Sequence, residues 1–251
     1  MADRSWPAGY GHLPLLEVDS TLDEARRRIG EVQGPVWITA RVQTNARGRR
    51  GRAWAHPPGN FAGTLLIPRF DDPERAALRS FAAALALSDA FIELTGRPEA
   101  FALKWPNDVL CHSGKIAGIL LETVSHGGRV AGVAIGIGVN LAEAPPRAVL
   151  EPGAVPPVSL AGEFGICPEP EEFLEVLAPA YAAWEARLFT QGFEPLRHAW
   201  LARAARLGEV ITARLPGEEI TGTFRTVDEQ GQLVLSTPKG ARRIAAGDIF
   251  F

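Results

Sequence analysis

Hydrophobic residues recur along this chain with a period that changes from one segment to the next. Between Glu74 and Leu94 they recur every three or four positions, which predicts a long helix with a wide buried face. Three further segments are predicted to be helical: residues 19–32, 170–190 and 193–205.

The start of the first of these helices carries a capping signature. Thr21 is followed three residues later by Glu24, the spacing of a capping box. In such a box the hydroxyl satisfies a backbone N–H of the first turn, and the carboxylate reaches back to the start of the helix. We therefore expect Thr21 to cap this helix.

Short apolar runs bounded by turn residues predict strands elsewhere. They are GPVWITARV (34–42), NFAGTLLIP (60–68), FALKWPNDVL (101–110), KIAGILLETV (115–124) and VAGVAIGIGVNL (130–141). Glycine-bearing turns at 112–114 and 125–129 separate the last three runs, as expected between antiparallel neighbours. The middle of the chain is therefore expected to be a hairpin sheet, followed by a proline-rich connection over 143–160.

The pattern changes again near the end of the chain. After Gly208 it consists of short β-type pieces: EVITARL (209–215), EEITGTFRTV (218–227), GQLVLST (231–237) and ARRIAAGDIF (241–250). We interpret residues 207–251 as a separate small β-barrel and residues 1–206 as a larger domain. The predicted fold class is α+β, with a mixed and largely antiparallel sheet packed with helices.

Composition and charge limit the classes of function. The 251 residues are 46% hydrophobic, enough for a sizeable core, and 26 basic against 29 acidic residues give a net charge of −3. This balance argues against a protein whose whole surface coats nucleic acid or an anionic membrane. Any cationic function must therefore be local.

Cysteine and histidine usage point to an ordinary cytoplasmic protein. Cys111 and Cys167 are the two cysteines, and they lack the spacing of a disulfide framework or a structural zinc site. The five histidines show no paired ligand spacing, so a histidine-based metal centre is not expected. No signal peptide or transmembrane segment is predicted.

One segment is locally exceptional, the arginine loop, which we define as residues 45–54. It contains Arg47, Arg49, Arg50 and Arg52, spaced by glycines that let the backbone approach a ligand closely. No Asp or Glu lies nearby in sequence, so we expect a mobile loop that becomes ordered when a phosphate or carboxylate binds. On charge alone, a solvated basic loop or a nucleic-acid patch explains it as well.

Three other motifs are ambiguous when taken singly. KWPNDVL (104–110) is typical of an Asx-type turn between strands, and a single lysine such as Lys115 is usually solvated. IGIGVNL (135–141) lacks the third glycine and the helix of a dinucleotide site, and the chain has no P-loop motif.

Taken together and in order, these motifs resemble the catalytic domain of biotin–protein ligases, which attach biotin to a lysine of carboxylase carrier domains. The matching stretches are DST (19–21), ARGRRG (46–51) followed by Arg52 and Trp54, KWPND (104–108), GKIAGILLE (114–122) and IGIGVN (135–140). The end of the chain is similar to the family's small β-barrel, through GEVI (208–211), GTFRTVDEQGQLVL (222–235) and GDIF (247–250).

The resemblance implies the fold of class II synthetases and biotin ligases, and a role for each matching residue. Biotin would be bound by Ser20, Thr21, Gln43, Arg47, Gly48, Arg49, Lys115, Gly136 and Gly138. ATP would be bound by Arg49, Arg50, Arg52, Trp54, Lys104, Asn107, Asp108 and Asn140. Arg47, Arg49 and Lys115 would be catalytic, and Asp108 would hold Mg²⁺. Some of these residues have structural alternatives: helix capping for Ser20 and Thr21, tight sheet packing for Gly136 and Gly138.

Two departures from the family pattern bear on function. Ala46 replaces the first glycine of the loop motif, which removes backbone freedom at the loop entry. Only 18 residues precede the DST motif, so we expect none of the DNA binding of family members that are biotin-sensing repressors. The expected partners are biotin, ATP and a biotin carboxyl carrier domain, without DNA or membrane, and a homodimer formed through sheet edges.

Two alternatives remain open at this stage. A lipoate or octanoate ligase or transferase shares this fold, although the arginine loop and KWPND favour biotin. A non-enzymatic RNA-binding module could use the arginine loop, but the sequence lacks a wider basic surface and interleaved aromatic residues.

Overall fold

The computed structural model describes residues 5–69, 73–146 and 155–251, which form one large sheet packed with helices and a second, smaller sheet. The strands of the large sheet are β1 (Gly11–Val18), β2 (Val36–Gln43), β3 (Phe61–Pro68), β4 (Phe101–Lys104), β5 (Asp108–Cys111), β6 (Gly114–His126) and β7 (Arg129–Val139). The helices are α1 (Thr21–Arg28), α2 (Pro73–Thr95), α3 (Leu160–Phe164), α4 (Pro170–Gln191) and α5 (Glu194–Leu201). Part of the predicted proline-rich connection, residues 147–154, lies outside the described residues.

The large sheet is mixed, in the order β1-β2-β3-β7-β6-β5-β4. Only β1 and β2 run parallel, and the other neighbouring pairs are antiparallel. The predicted α+β class and largely antiparallel sheet are therefore confirmed. Strand β1 was not predicted, because it is an edge strand with mostly exposed side chains and lacks a clear apolar alternation.

The two faces of the sheet are covered differently. On one face, α2, α4 and α5 bury the large core, to which β7 contributes Val133, Ile135 and Ile137. On the other face, the short helix α1 covers a smaller cluster that contains Ala134. Since side chains alternate along a strand, Gly136 and Gly138 share the face of Ala134. This alternation of large and small residues leaves room beside α1 for a ligand cavity.

One predicted strand is two strands. Residues 101–110 form β4 and β5, an antiparallel pair that reverses over Trp105, Pro106 and Asn107. The single-strand prediction is wrong because Pro106 has no N–H and cannot continue a hydrogen-bonded ladder. The reversal presents Asn107 and Asp108 at the end of the sheet.

The second sheet contains β8 (Val210–Leu215), β9 (Glu218–Val227), β10 (Leu233–Thr237), β11 (Gly240–Ile244) and β12 (Asp248–Phe250). Its order is β11-β10-β9-β8-β12, and the two outer strands do not pair with each other. The predicted barrel is therefore wrong: the sheet is open. Closure requires both edges to pair, whereas the three-residue β12 pairs with β8 and not with β11, and the side chain of its first residue, Asp248, contacts the arginine loop.

Contacts with α2 and with the reversal between β4 and β5 hold the second sheet against the first. The indole N–H of Trp105 donates to the carbonyl of Gly231 at 3.0 Å. At Gly231, whose φ is +78°, a Cβ would lie 2.9 Å from the Phe81 ring, so the turn sits directly on α2. This packing brings β12 to the cavity. Across the described ranges, no helix is both long and apolar enough to span a membrane.

Candidate active site

A cavity of about 600 Å³ opens on the α1 face of the large sheet. It lies between the start of α1, strands β6 and β7, the arginine loop and β12. Nearly all sequence-predicted site residues line it: Ser20, Thr21, Gln43, Arg47, Gly48, Arg49, Arg52, Trp54, Lys104, Asn107, Asp108, Lys115, Gly136, Gly138 and Asn140. Arg50 is the exception, because its side chain turns to Asp248 and lies outside the cavity lining.

Glycines of the two central strands form the floor of the cavity. A Cβ on Gly118 would lie 3.0 Å from the Trp54 indole, and one on Gly138 would overlap that ring. Trp54 therefore lies flat on strand backbone that carries no side chains. Gly136 instead accommodates Leu22 of α1, since a Cβ there would lie 2.8 Å from the leucine side chain. In this structure, the absence of a side chain at Gly136 therefore serves tight packing, which was the structural alternative to ligand binding.

A buried polar network lies at one end of the cavity. The backbone N–H and hydroxyl of Thr21 both donate to Gln43 Oε1, at 2.9 and 3.1 Å, and Thr64 donates to the Thr21 hydroxyl at 2.8 Å. The capping prediction is wrong. Ser20 is the N-cap without a side-chain capping bond, and Glu24 pairs with two arginines of its own helix. Thr21 is already inside the helix, so its hydroxyl points to β2.

The arginine loop is a narrow backbone hairpin. Its ends are joined by the N–H of Trp54 donating to the carbonyl of Ala46 at 3.0 Å, and its tip by Gly48 N–H donating to Arg52 at 2.7 Å. The tip needs left-handed backbone at Arg50 (φ 56°) and Gly51 (φ 73°). Ala46 contributes a carbonyl to this hairpin, which an alanine supplies as well as a glycine.

Three of the loop arginines contact the second sheet. Arg50 Nη1 and Arg52 Nη2 lie 2.8 and 2.9 Å from Asp248 Oδ2, and Arg49 donates to the carbonyl of Gly247 at 3.2 Å. Burial by itself would raise the pKa of Asp248, but its ion pairs with the arginines outweigh this and lower it. Burial lowers the pKa of Arg49, and the nearby carboxylates oppose that shift.

The fourth loop arginine has different partners. Arg47 Nη2 lies 3.0 Å from Asp23 and 3.2 Å from Glu122. The sequence interpretation missed both acids, as well as Asp248 and Thr64. Their contacts with the arginine loop and with Thr21 join segments that are distant in sequence, so no local spacing marks these partners, although Glu122 and Asp248 lie within the GKIAGILLE and GDIF stretches.

Two lysines and one carboxylate form the cationic end of the cavity. Lys115 Nζ lies 2.7 Å from Asp108 Oδ1 and 5.3 Å from the centre of the Trp54 ring. Lys104 Nζ lies 3.9 Å from the other oxygen of Asp108. Burial lowers the pKa of Lys104, with the charge of Asp108 acting in the opposite direction. One carboxylate shared by two lysines leaves cationic capacity for an anionic ligand.

Two asparagines fix the backbone around these lysines. Asn107 donates to the carbonyl of Ile119 at 2.7 Å and accepts from Arg49 at 3.3 Å. Asn140 donates to the carbonyls of Val158 and Lys115, while its Oδ1 is buried without a hydrogen-bond partner among the described residues. A buried amide oxygen of this kind is an acceptor suited to a ligand N–H.

The donor set around Asp108 is compatible with Mg²⁺ of a nucleotide complex. Mg²⁺ is usually bound by one or two carboxylates, with the remaining ligands coming from phosphates and water. Asp108 is such a carboxylate, and both its oxygens already attract cations. A separate group, Cys111, His112 and Glu163, brings ligand atoms within 4.8 Å of one another outside the cavity lining. Burial raises the pKa of Cys111 to about 12, which keeps its thiol protonated.

Comparison with known proteins agrees with this geometry. The model of the biotin/lipoate A/B protein ligase family matches residues 13–140, and that of the biotin protein ligase C-terminal domain matches residues 207–251. The chain is 52% identical to a biotin–[acetyl-CoA-carboxylase] ligase of Paracoccus denitrificans, over 94% of this chain and 99% of the relative. It is 30% identical to the bifunctional ligase/repressor BirA of Bacillus subtilis, over 95% of this chain and 73% of the relative.

The structural comparison leads to the same family. A biotin protein ligase from Aquifex aeolicus, solved in complex with biotin and ATP, superposes with a TM-score of 0.81 at 25% identity and covers 95% of this chain and 97% of that one. With a family model over half of its length and a relative at 52% identity over nearly all of it, this chain belongs to the biotin/lipoate A/B protein ligase family, among the biotin–protein ligases.

Proposed function

We propose that this protein is an ATP-dependent biotin–protein ligase, which activates biotin as biotinyl-5'-AMP and transfers it to a lysine of a biotin carboxyl carrier domain. The observation that carries the proposal is the cavity itself. It joins a buried polar pocket at Thr21 and Gln43 to a cationic end at Lys115 and Arg49. One molecule with a neutral polar head and an acid tail would span these two environments.

Activation requires positive charge, because two anions must meet. The biotin carboxylate oxygen attacks the α-phosphorus of ATP, a new P–O bond forms, and the bond to the leaving pyrophosphate breaks. Lys115 would pair with the carboxylate and the α-phosphate, and Arg47 and Arg49 would contact the adenylate. Prearranged cations in a site shielded from water stabilise the charge of such a transition state.

The head of biotin is a ureido ring with two N–H donors and one carbonyl. Gln43 and the hydroxyls of Ser20 and Thr21 supply short polar partners at the closed end of the cavity. Gly48 would let backbone approach the ligand, since it carries no side chain. Gly138 and Gly136 would act less directly, by accommodating the Trp54 ring and the Leu22 side chain that line the cavity.

The nucleotide would occupy the opposite end. The unpartnered Oδ1 of Asn140 would accept the adenine amino group, and Trp54 would pack over the base. Arg52, Lys104 and Asn107 would contact the phosphates, and Arg50 would join them only after leaving Asp248. Asp108 would hold Mg²⁺, which supplies charge neutralisation for the phosphates when it is bound.

In the second half-reaction the amine of the carrier lysine attacks the acyl carbon of biotinyl-5'-AMP. An amide bond forms, and the bond between the acyl carbon and the phosphate oxygen of AMP breaks, so that AMP leaves. Acyl-adenylates hydrolyse and also acylate bystander amines, so the arginine loop would act as a cover until the carrier lysine enters.

We further propose a division into a catalytic domain over 1–206 and a second domain over 207–251, a cytoplasmic location, and a homodimer formed through sheet edges. The proposed partners include neither DNA nor a membrane.

The test is a transfer assay with labelled biotin, labelled lipoate and an apo carrier domain, in the presence of ATP and Mg²⁺. We expect biotin transfer that depends on ATP, together with biotin-dependent exchange of pyrophosphate into ATP. Transfer of lipoate but not biotin would assign the chain to the other ligases of its family. If neither label is transferred and the protein binds RNA, the arginine loop belongs to a binding module instead.

A further inference from the structure

Arg47 stands at the centre of a four-residue charge cluster. Its Nη2 is shared between Asp23 Oδ1 at 3.0 Å and Glu122 Oε2 at 3.2 Å. The same two oxygens also pair with Arg26, at 2.7 and 2.8 Å. Each carboxylate therefore joins two arginines, and each arginine joins both carboxylates.

The cluster connects three elements that build the cavity. Asp23 and Arg26 lie on α1, Glu122 lies on β6, and Arg47 belongs to the arginine loop. The other end of the loop contacts Asp248 of the second sheet. The loop is thus held both from α1 and β6 and from the second sheet, and among the described residues the side-chain hydrogen bonds of Arg47 all belong to the cluster.

The two ends of the Arg47 guanidinium are in different situations. Nη2 is held by carboxylates, whereas Nη1 is buried and has no hydrogen-bond partner among the described residues. Arg47 lines the cavity, together with Thr21 and Gln43. A buried guanidinium N–H without an acceptor is unfavourable, and a ligand carboxylate or carbonyl would satisfy it.

The charges in the cluster also balance. Arg47 with two carboxylates alone would carry a net charge of −1, which would repel an acid such as biotin. Arg26 brings the sum to zero, although it is not among the residues that line the cavity. Arg26 therefore affects a ligand in the cavity through its charge, by neutralising one of the two carboxylates, without lining the cavity itself.

We propose that Asp23 and Glu122, balanced by Arg26, are positioning residues that orient Arg47 toward the carboxylate of biotin. The inference rests on the proposed function and adds three residues to it. Asp23 and Arg26 lie outside the family motifs, and Glu122 is the last residue of the GKIAGILLE stretch. The acids hold one side of the guanidinium so that the other side meets the ligand without first reorienting. This role predicts that substitutions of the two acids weaken biotin binding only when Arg47 is present.

The experiment measures biotin binding by calorimetry without nucleotide, in wild type, Asp23→Ala, Glu122→Ala and the double variant. Loss of charge-assisted hydrogen bonds should weaken biotin binding about tenfold in the double variant, with the KM for ATP unchanged. Arg26→Gln should also weaken biotin binding, because it leaves the acids in excess. Glu31→Ala is the matched control, since Glu31 lies just after α1 and pairs with Arg28, not with Arg47.

A purely structural role is separated by repeating Glu122→Ala in an Arg47→Ala background. If Glu122 acts through Arg47, it has no further effect on biotin binding there, and thermal melting shows that the variants are folded. Tighter binding in the double variant, or an equal loss with and without Arg47, would overturn the inference. Absence of biotin binding in the wild type would instead contradict the proposed function.

Discussion

Asp248 Oδ2 lies 2.9 Å from Arg52 Nη2, and this contact joins the second sheet to the arginine loop across 196 positions of sequence. The same oxygen accepts from Arg50 at 2.8 Å. A residue of the second sheet therefore helps to determine the conformation of the loop that lines the cavity. The second sheet itself contributes Asp248, Ile249 and Phe250 to the cavity wall.

Replacing Asp248 by alanine should loosen the loop. Without the carboxylate, Arg50 and Arg52 repel each other, and the loop closes less often over the adenylate. We expect the KM for ATP to rise about threefold to tenfold, with free biotinyl-adenylate released into solution. Asp228→Ala tests for nonspecific destabilisation of the same sheet, since Asp228 lies in a turn outside the cavity lining.

The contact has a defined pH dependence. The folded pKa of Asp248 is below its ordinary value of 3.8, so the stabilisation is complete above that value and is lost as pH falls through the folded pKa. Hydrogen exchange of the loop amides, corrected for intrinsic rates, should be constant between about pH 5 and pH 8 and should rise below about pH 4. A rise between pH 7 and pH 5 would assign the contact to another group.

Arg49→Gly should separate adenylate formation from adenylate retention. Arg49 contacts both Asn107 and Gly247, so its loss removes a link between the loop and two walls of the cavity. We expect partial adenylation activity together with release of the intermediate and labelling of bystander lysines. Retention equal to wild type, measured by filtration of labelled adenylate, would show that the arginine does not hold the cover.

Lys115→Ala should impair the first half-reaction. The variant leaves the approaching carboxylate and α-phosphate without their nearest cation, and it also frees Asp108 to repel both. We expect pyrophosphate exchange to fall about 100-fold to 1,000-fold. Transfer from chemically supplied biotinyl-adenylate should fall less, and normal exchange would remove Lys115 from the site.

Gly138→Ala should displace Trp54. A Cβ at this position overlaps the indole, so the ring must move before adenine can pack against it. We expect the KM for ATP to rise about tenfold, with a smaller effect on biotin binding. In a Trp54→Ala background the same substitution should have little further effect, because the colliding ring is gone. An equal effect in both backgrounds would place the clash elsewhere, in the strand or the ligand.

The sequence by itself determined most of the elements and, through the family motifs, most of the cavity lining, but it missed β1 and the separation of β4 from β5. Periodicity placed α2 within a residue of its bounds, and the glycines of the IGIGVN motif in β7, which the resemblance singled out, line the cavity. Local signals suffice for these elements because the hydrophobic residues of helices and strands recur every two to four positions. The KWPND and arginine motifs then marked the cationic residues, since their chemistry is contained in contiguous stretches.

Only the tertiary structure decided what these residues contact. The loop lacks acids nearby in sequence, yet Asp23, Glu122 and Asp248 neutralise it from α1, β6 and β12. The open second sheet and the role of Thr21 inside its helix were likewise decided by packing. Ion pairs and strand closure depend on distances between remote segments, and a one-dimensional pattern carries no information on those distances until the core has brought the segments together.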